Sequence, residues 1–452
     1  MRDIIQDALK RCGNAHVEVR VEEKTTTIVR FKDKEIEEVA LNTSLGGSIR
    51  ALVNGGWGFV SFNDISDLGQ KVHLAISQAT TVGNGSFTLP LLAPVEYVGG
   101  VDLIEDATLL PLPNKIQMLR EYADIMMANS SVQTSSINYK DADISSVFAS
   151  TDGSYIEQQK ADVALRLSAL ARNGGDVQQS GVSLGSNGDF SIIRNLHAEA
   201  QSVANKAVAL LKAKQLPSAE YTVVLDPILA GVFIHEAFGH LSEADHIYEN
   251  KQLREVMCLG KIFSGSHLNV VDGALVPNLR GSYQFDDEGI PSSRTYLIQE
   301  GELVGRLHSR ETAAKMNETP TGNARSISYD FPPIVRMTNT FIEPGSATFE
   351  ELISEIDYGV YAQNWYGGMT SMEMFTFSAG EANVIRKGKV EELIRPVMLS
   401  GNVFSTLKNL DCVGNDLAMN QGGGCGKLGQ SPLPVSNGSP HIRILRCLVG
   451  GS

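Results

Sequence analysis

"HVEVRVEEKTTTIVRFKDKEIEEVALN" (residues 16–42) alternates apolar and polar side chains along much of its length. That period of two is the pattern of half-buried β-strands, with one face toward a core and the other toward water. "LGGSIRALVNGGWGFVSF" (45–62) repeats the signal, and Asn54-Gly55-Gly56 inside it supplies the positive-φ positions of a hairpin turn.

Working outward, helical periodicity covers residues 3–12, 65–80 (behind the candidate caps Asn63 and Asp64), 113–128 and, most strongly, "IRNLHAEAQSVANKAVALLKAK" at 193–214. Strand-like stretches occupy 133–150 and 155–172. "LPLLAPVEYVGGVD" (89–102) and "QLPSAEY" (215–221) break both periods. They divide the chain into an N-terminal α+β domain (1–105), a middle α+β domain (106–215) and a β-rich C-terminal domain (216–452). In the last, "DDEGIPSSRTYLIQEGELVGRLHS" (286–309) and "EANVIRKGKVEELIRPVMLS" (381–400) read as hairpins. Helices and strands do not alternate as βαβ units, so the expected class is α+β with largely antiparallel sheets and packed helices.

The 452 residues suffice for roughly two to four domains. With 38 basic against 52 acidic side chains the formal charge is -14, which argues against nucleic acid as a partner. The longest apolar run, "YTVVLDPILAGVFI" (221–234), is interrupted by Asp226 and Pro227 and is too short for a bilayer. The N-terminal residues lack the apolar core of a secretion signal. Five scattered cysteines without a CxxC pair suit a reducing compartment. A cytoplasmic protein without a membrane partner is expected.

The candidate chemistry centres on "HEAFGHLSEADH" (235–246). In a regular helix, residues four apart lie about 40° apart around the axis and residues five apart about 140°. His235 and His240, five apart, therefore face different ways unless the helix is distorted. A π-type bulge brings such a pair onto one face. Alternatively, Gly239 ends the helix in a left-handed conformation and His240 swings back. Two neutral imidazoles would give a divalent metal two ligands, and Glu236 would stand beside a metal-bound water as its base.

A catalytic zinc generally takes three protein ligands. Glu243, Asp245 and His246 are local candidates for the third, and the cysteines are distant ones. Cys425 stands out, because "QGGGCGKLG" (421–429) surrounds it with glycines that let the backbone turn a thiolate toward a metal. Lys427 is placed to favour the ionised sulfur. The same run fails as a phosphate loop, since Gln421 and Leu428 stand where that motif needs Gly and Ser/Thr. Cys12, Cys258, Cys412 and Cys447 read as ordinary core or surface residues.

"HEAFGHLSEAD" (235–245), "DDEGIPSSRTYLIQEGELVG" (286–305), "TGNARSISYDFPPIVRMTNTFIEPG" (321–345), "FSAGEANVIRKGK" (377–389) and "GGGCGKLGQ" (422–430) together resemble the TldD/PmbA metallopeptidases, specifically the TldD-like, HExxxH-bearing branch. The resemblance covers most of the chain. It implies that His235, His240 and Cys425 hold one Zn2+ per active subunit and that Glu236 is catalytic. It further implies hydrolysis of unfolded or flexible peptides by a dimer, formed with a PmbA-like paralogous subunit or as a homodimer. The family's other name, modulator of DNA gyrase, implies no DNA binding here. The alternative function is a non-catalytic, peptide-binding partner subunit, whose mark would be a degraded HExxxH or a missing Cys425; both are intact.

Overall fold

The computed structural model describes residues 1–85, 87–371 and 373–451. A short helix, α1 (Arg2–Leu9), leads into the alternating segment, which forms two long antiparallel strands, β1 (His16–Lys32) and β2 (Glu35–Val53). β3 (Gly56–Phe62) follows through Asn54 and Gly55, whose φ values of 47° and 77° are the left-handed pair that a two-residue hairpin requires. Helix α2 (Leu68–Val82) comes next, then β4 (Glu96–Gly100), α3 (Leu112–Met126), β5 (Val132–Ser150), β6 (Tyr155–Asn173), β7 (Asp176–Ser186) and α4 (His197–Leu210). All seven strands join one sheet in the order β3-β2-β1-β5-β6-β4, with β7 also on β6. Only β4, which lies inside the Pro/Gly-rich stretch 89–102, pairs in parallel.

One face of this sheet is apolar and covered by helices. Val17, Val19, Val21 and Ile49 pack with Ile5 and Val72, while Val29, Phe31, Ile137 and Leu165 pack with Leu119 and Val203. The other face departs from the expectation of a wet side. Glu18, Arg20, Glu22 and Arg50 are all buried, because the C-terminal portion of the chain lies on them and supplies partners to Arg20 and Arg50. Arg50 donates to Glu18 at 2.7 and 2.9 Å and to Glu288 at 2.5 Å, and its guanidinium lies 4.1 Å from the Trp57 ring centroid.

In the C-terminal portion, β8 (Ala219–Leu225) pairs in parallel with Tyr358–Ser371 and antiparallel with Ile442–Gly451. Val397–Asn402 bridges Ile442–Gly451 to Met374–Arg386, which returns to Tyr358–Ser371. These strands close into a small barrel, so none of them offers a continuous free edge. A second, six-stranded sheet is built around Val270–Gly273 and Asn339–Ile342. The largest apolar cluster joins the barrel to this sheet through Phe233, Phe238, Val270 and Ile342. The fold is α+β, largely antiparallel.

Two local expectations shift. The helix over 193–214 begins only at His197, behind a short 3-10 turn at Phe190–Ile193. The hairpin expected from 286 starts at Arg294, because the Asp286 carboxylate takes the backbone N–H groups of Glu288, Ile290 and Ala324 at 2.9–3.0 Å and holds 286–293 as a loop.

Candidate metal centre

Strand β8 delivers the chain to Asp226, whose carboxylate accepts from Leu229 N at 2.8 Å and caps α5 (Pro227–Ile234), with Pro227 at the first helical position. "PILAGVFI" is apolar on every side, as a helix buried all round must be. A Cβ at Gly231 would stand 2.8 Å from Gly438 N, so glycine here lets the helix lie directly on the neighbouring strand.

Past Ile234 the helix loosens into one π turn, His235–Gly239, closed by His240 N–H donating to His235 O. That extra residue in the turn puts the two imidazoles on one side, with ring centroids 5.4 Å apart and planes at 78°. Gly239 is right-handed, at φ -57° and ψ -51°, so a left-handed helix end is not how the pair meets. Glycine there leaves room for Met337: a Cβ would lie 2.1 Å from Met337 Sδ and displace that side chain. Beyond a 3-10 turn at His240–Ser242, Leu307 N–H donates to Ser242 O and Ala244 N–H to Leu307 O, at 2.9 and 3.0 Å, anchoring the exit.

Cys425 arrives on a hairpin, Gly424–Lys427 against Gln430–Pro434, turned by Leu428 and Gly429 at φ 49° and 80°. The fully buried Arg336 guanidinium donates to Cys425 O at 2.7 Å and Gln430 O at 3.1 Å, clamping both strands. Cys425 Sγ lies 3.3 Å from His240 Nε2, and one donor atom each of His235, His240 and Cys425 falls within 4.8 Å of the others.

This donor set fits a divalent metal of the zinc type: two imidazole nitrogens and a sulfur, mostly buried, with His235 Nδ1 lacking a hydrogen-bond partner among the described residues. Burial opposes charge at all three residues, yet the neighbouring groups prevail. His235 and His240 hold the Cys425 thiol down at about 4. The Cys425 sulfur and Glu236 push His235 up; Glu243 and the Cys425 sulfur do the same for His240. A sulfur that ionises this readily is a ready metal ligand.

The remaining candidates play other parts. Glu243, fully buried, accepts from His240 Nδ1 at 3.0 Å, on the opposite side of the ring from Cys425, so it orients the imidazole. His240 and Lys427 hold its carboxyl at about 2 against the cost of burial. Asp245 is bound by Lys427 Nζ at 2.7 and 2.8 Å, and half-exposed His246 stands 3.8 Å from Glu243. Lys427 Nζ also meets Glu243 at 3.0 Å and Val335 O at 2.9 Å. The Lys427 ammonium is thus the cation of this acidic cluster, and the groups that ionise the thiol are the two histidines. Glu243, Arg336 and Met337 are the participants that sequence reasoning missed in these roles. Only Glu243 carried a local signal, its spacing of three from His240.

Glu236 and His240 line an open cleft of about 840 Å³, along with Gly368–Thr370 from one barrel strand and Gly426–Leu428 from the Cys425 hairpin. Glu236 Oε2 is 3.8 Å from His240 Nε2. The site can bind a metal at its floor, present a carboxylate at its wall and admit a chain-like ligand from the open side.

Family models described as PmbA/TldA metallopeptidase domain 1, central domain and C-terminal domain match residues 17–80, 105–215 and 218–451. A metalloprotease of Synechocystis sp. is 43% identical, over 96% of this chain and 94% of the relative. A protein of Saccharolobus solfataricus named zinc metalloprotease TldD homolog is 29% identical over 90% of each chain. The solved structure of a protein from Thermotoga maritima described as a modulator of a DNA gyrase superposes with a TM-score of 0.79 at 20% identity, covering 99% of this chain and 100% of that one.

Proposed function

The chain belongs to the PmbA/TldD metallopeptidase family, and we propose that it is a zinc-dependent peptidase acting on unfolded or flexible peptides. The observation that carries this reading is the convergence of His235, His240 and Cys425, with His235 Nδ1 buried and unpartnered among the described residues, beside an accessible Glu236.

His235, His240 and Cys425 would hold the metal. When bound, a zinc ion supplies Lewis acidity, easing deprotonation of water and polarising a carbonyl. Glu236 takes the proton of the attacking water on its carboxylate and returns it to the leaving amine. Glu243 fixes the His240 ring through Nδ1, and Lys427 holds Glu243 in place. Among the described residues, the outer edge of Gly424–Gly426 pairs with no strand. An extended peptide adds there, reading backbone more than side chains and so permitting broad specificity.

On this reading the chain is organised as 1–105, 106–215 and 216–452, pairs with a PmbA-like subunit or a second copy of itself, and works in the cytoplasm. No described helix is long and apolar enough to cross a membrane. The test is metal analysis of the purified protein together with hydrolysis of an unstructured peptide before and after chelation. Close to one zinc per chain and chelator-sensitive cleavage are expected; metal-free protein with undiminished cleavage would refute the reading.

A further inference from the structure

The polar face of the N-terminal sheet changes character along β1. Near Glu18 it meets the C-terminal portion in ion pairs, Arg50 with Glu288 and Arg310 with Glu18. From Arg20 and Glu22 onward the two parts separate and line a half-open cavity of about 380 Å³. Strand register places Lys24, Ile144 and Lys160 in one row across β1, β5 and β6, and Lys140 lies four residues before Ile144 on the same face. The opposite wall is made by Arg280, Tyr283, Arg325 and Ser431–Pro434, the last being the strand that pairs with Cys425.

The cations of this cavity outnumber the acids. Arg20, Lys24, Lys140, Lys160, Arg280 and Arg325 face Glu22, Asp162, Asp286 and Asp287. Even with every acid ionised, an excess of two positive charges lines the cavity of a chain whose net charge is -14. Asp162 is taken by Arg280 at 2.6 and 2.9 Å, and Arg325 donates to the carbonyls of Met337 and Pro434. Lys160 has its nearest carboxylate, Asp287, at 3.9 Å. Among the described residues, Lys24 and Lys140 make no hydrogen bond or ion pair. Burial pushes Lys140 and Lys160 down, and the positive charge of Lys24 lowers Lys140 further. Lys24 and Lys140, without an ion pair among the described residues, and Lys160, with only the long contact to Asp287 and the Tyr283 ring 5.3 Å away, repel one another across the cavity; an anion between them would relieve that.

We infer that this cavity is a binding site for an oxyanion, a carboxylate or phosphate group, held by Lys24, Lys140 and Lys160. The inference does not depend on the peptidase reading, since it concerns a different cavity and is tested by binding. The shared chemistry has two sources, an acidic group carried by a peptide and a free phosphate-type anion.

The test uses the full chain, with inorganic phosphate followed by thermal denaturation. A peptide ending in a free carboxylate is compared with its C-terminal amide by fluorescence anisotropy. Saturable stabilisation by phosphate, beyond that of chloride at equal ionic strength and lost in Lys24→Met/Lys140→Met, assigns the site to a free anion. At least tenfold tighter binding of the carboxylate peptide than of the amide, a preference lost in the same variant, assigns it to a peptide terminus. Replacing both lysines removes repulsion, so the variant should fold; Lys140→Arg, which keeps the charge, should keep the binding. Absence of both responses, or responses equal in wild type and the double variant, overturns the inference.

Discussion

The Glu18–Arg50–Glu288–Arg310 network and the His235–His240–Cys425 cluster are both buried and both polar, yet their atoms differ in what they face. In the network every carboxylate and guanidinium group finds at least one partner of opposite charge, although the buried Arg310 Nε has no hydrogen-bond partner among the described residues. Glu288 accepts from Arg50 at 2.5 Å and from Arg310 N–H at 2.7 Å, while Arg310 Nη2 reaches Asp152 at 2.7 Å. In the cluster, His235 Nδ1 has no hydrogen-bond partner among the described residues and the sulfur lies against imidazoles. Opposite charges paired across the two parts mark groups that hold a fold together, whereas donor atoms of metal-ligating type converging on one another mark a place built for something else. Lys24 and Lys140 of the basic cavity, like charges gathered without an ion pair among the described residues, fall on the same side of this distinction as the metal centre.

The largest expected effect separates chemistry from scaffold. Glu236→Gln should leave zinc content and thermal stability unchanged while slowing hydrolysis of an unstructured peptide about 10²–10⁴-fold, the usual contribution of a positioned general base. Full activity in the metal-loaded variant would remove Glu236 from the mechanism. In the network the converse should hold. Glu288→Ala leaves Arg50 buried with Glu18 as its only carboxylate and Arg310 N–H without an acceptor. Urea unfolding should show a loss of about 3–5 kcal/mol, as for other broken buried pairs. A loss below about 1 kcal/mol would mean that the network is not what joins the N-terminal sheet to the C-terminal portion.

A smaller effect is expected at the carboxylate that serves His240 without facing the cluster. Glu243→Ala should weaken zinc binding about 10–100-fold, measured by competition with a chelating dye, as partners of metal-ligating histidines generally do. Glu243→Gln, which keeps an acceptor for Nδ1, should recover part of that loss. Complete loss of zinc in the Ala variant, with no recovery by Gln, would make Glu243 a ligand rather than a positioning residue.

How much of this could be read beforehand follows from what each feature depends on. The strands of the first sheet and the Asn54-Gly55 turn are local consequences of alternation and positive φ, so they are visible in the sequence. The burial of the polar face of β1 is not, because Glu18 and Arg20 look like solvent-facing residues until the distant Glu288 and Ser326 are brought to them by the fold. At the candidate site, the spacing of His235 and His240 narrows the geometry to two distortions. Gly239 permits either one, and its packing against Met337, far along the chain, appears only in the fold. Glu243 has the composition and spacing of a ligand and of a ligand's partner alike; only the side of the His240 ring it meets tells them apart. Lys427 was legible as a cation near Cys425, but its direction, toward Glu243 and Asp245, is a property of the hairpin.

The smallest effect tests whether the network responds to pH through His16, which sits at its margin. His16 Nε2 is 3.0 Å from Glu18 and Nδ1 is 3.5 Å from Asp152. Burial and the Arg310 guanidinium oppose its charge, but the two carboxylates raise it from 6.5 to about 9. A raised value in the folded state means that protonation favours folding. That contribution is complete below pH 6.5 and disappears as pH climbs toward about 9. Glu18 behaves oppositely: although burial works against its charge, Arg50 and His16 hold it at about 2, below its ordinary 4.5. Its contribution is therefore present above 4.5 and lost as pH falls toward about 2. Stability measured by urea midpoint should thus be greatest between the two ordinary values. His16→Asn should flatten the alkaline decline by on the order of 1 kcal/mol while leaving the acid decline in place. An unchanged alkaline decline in the variant would show that His16 stays neutral beside Arg310 and that the network is closed without it.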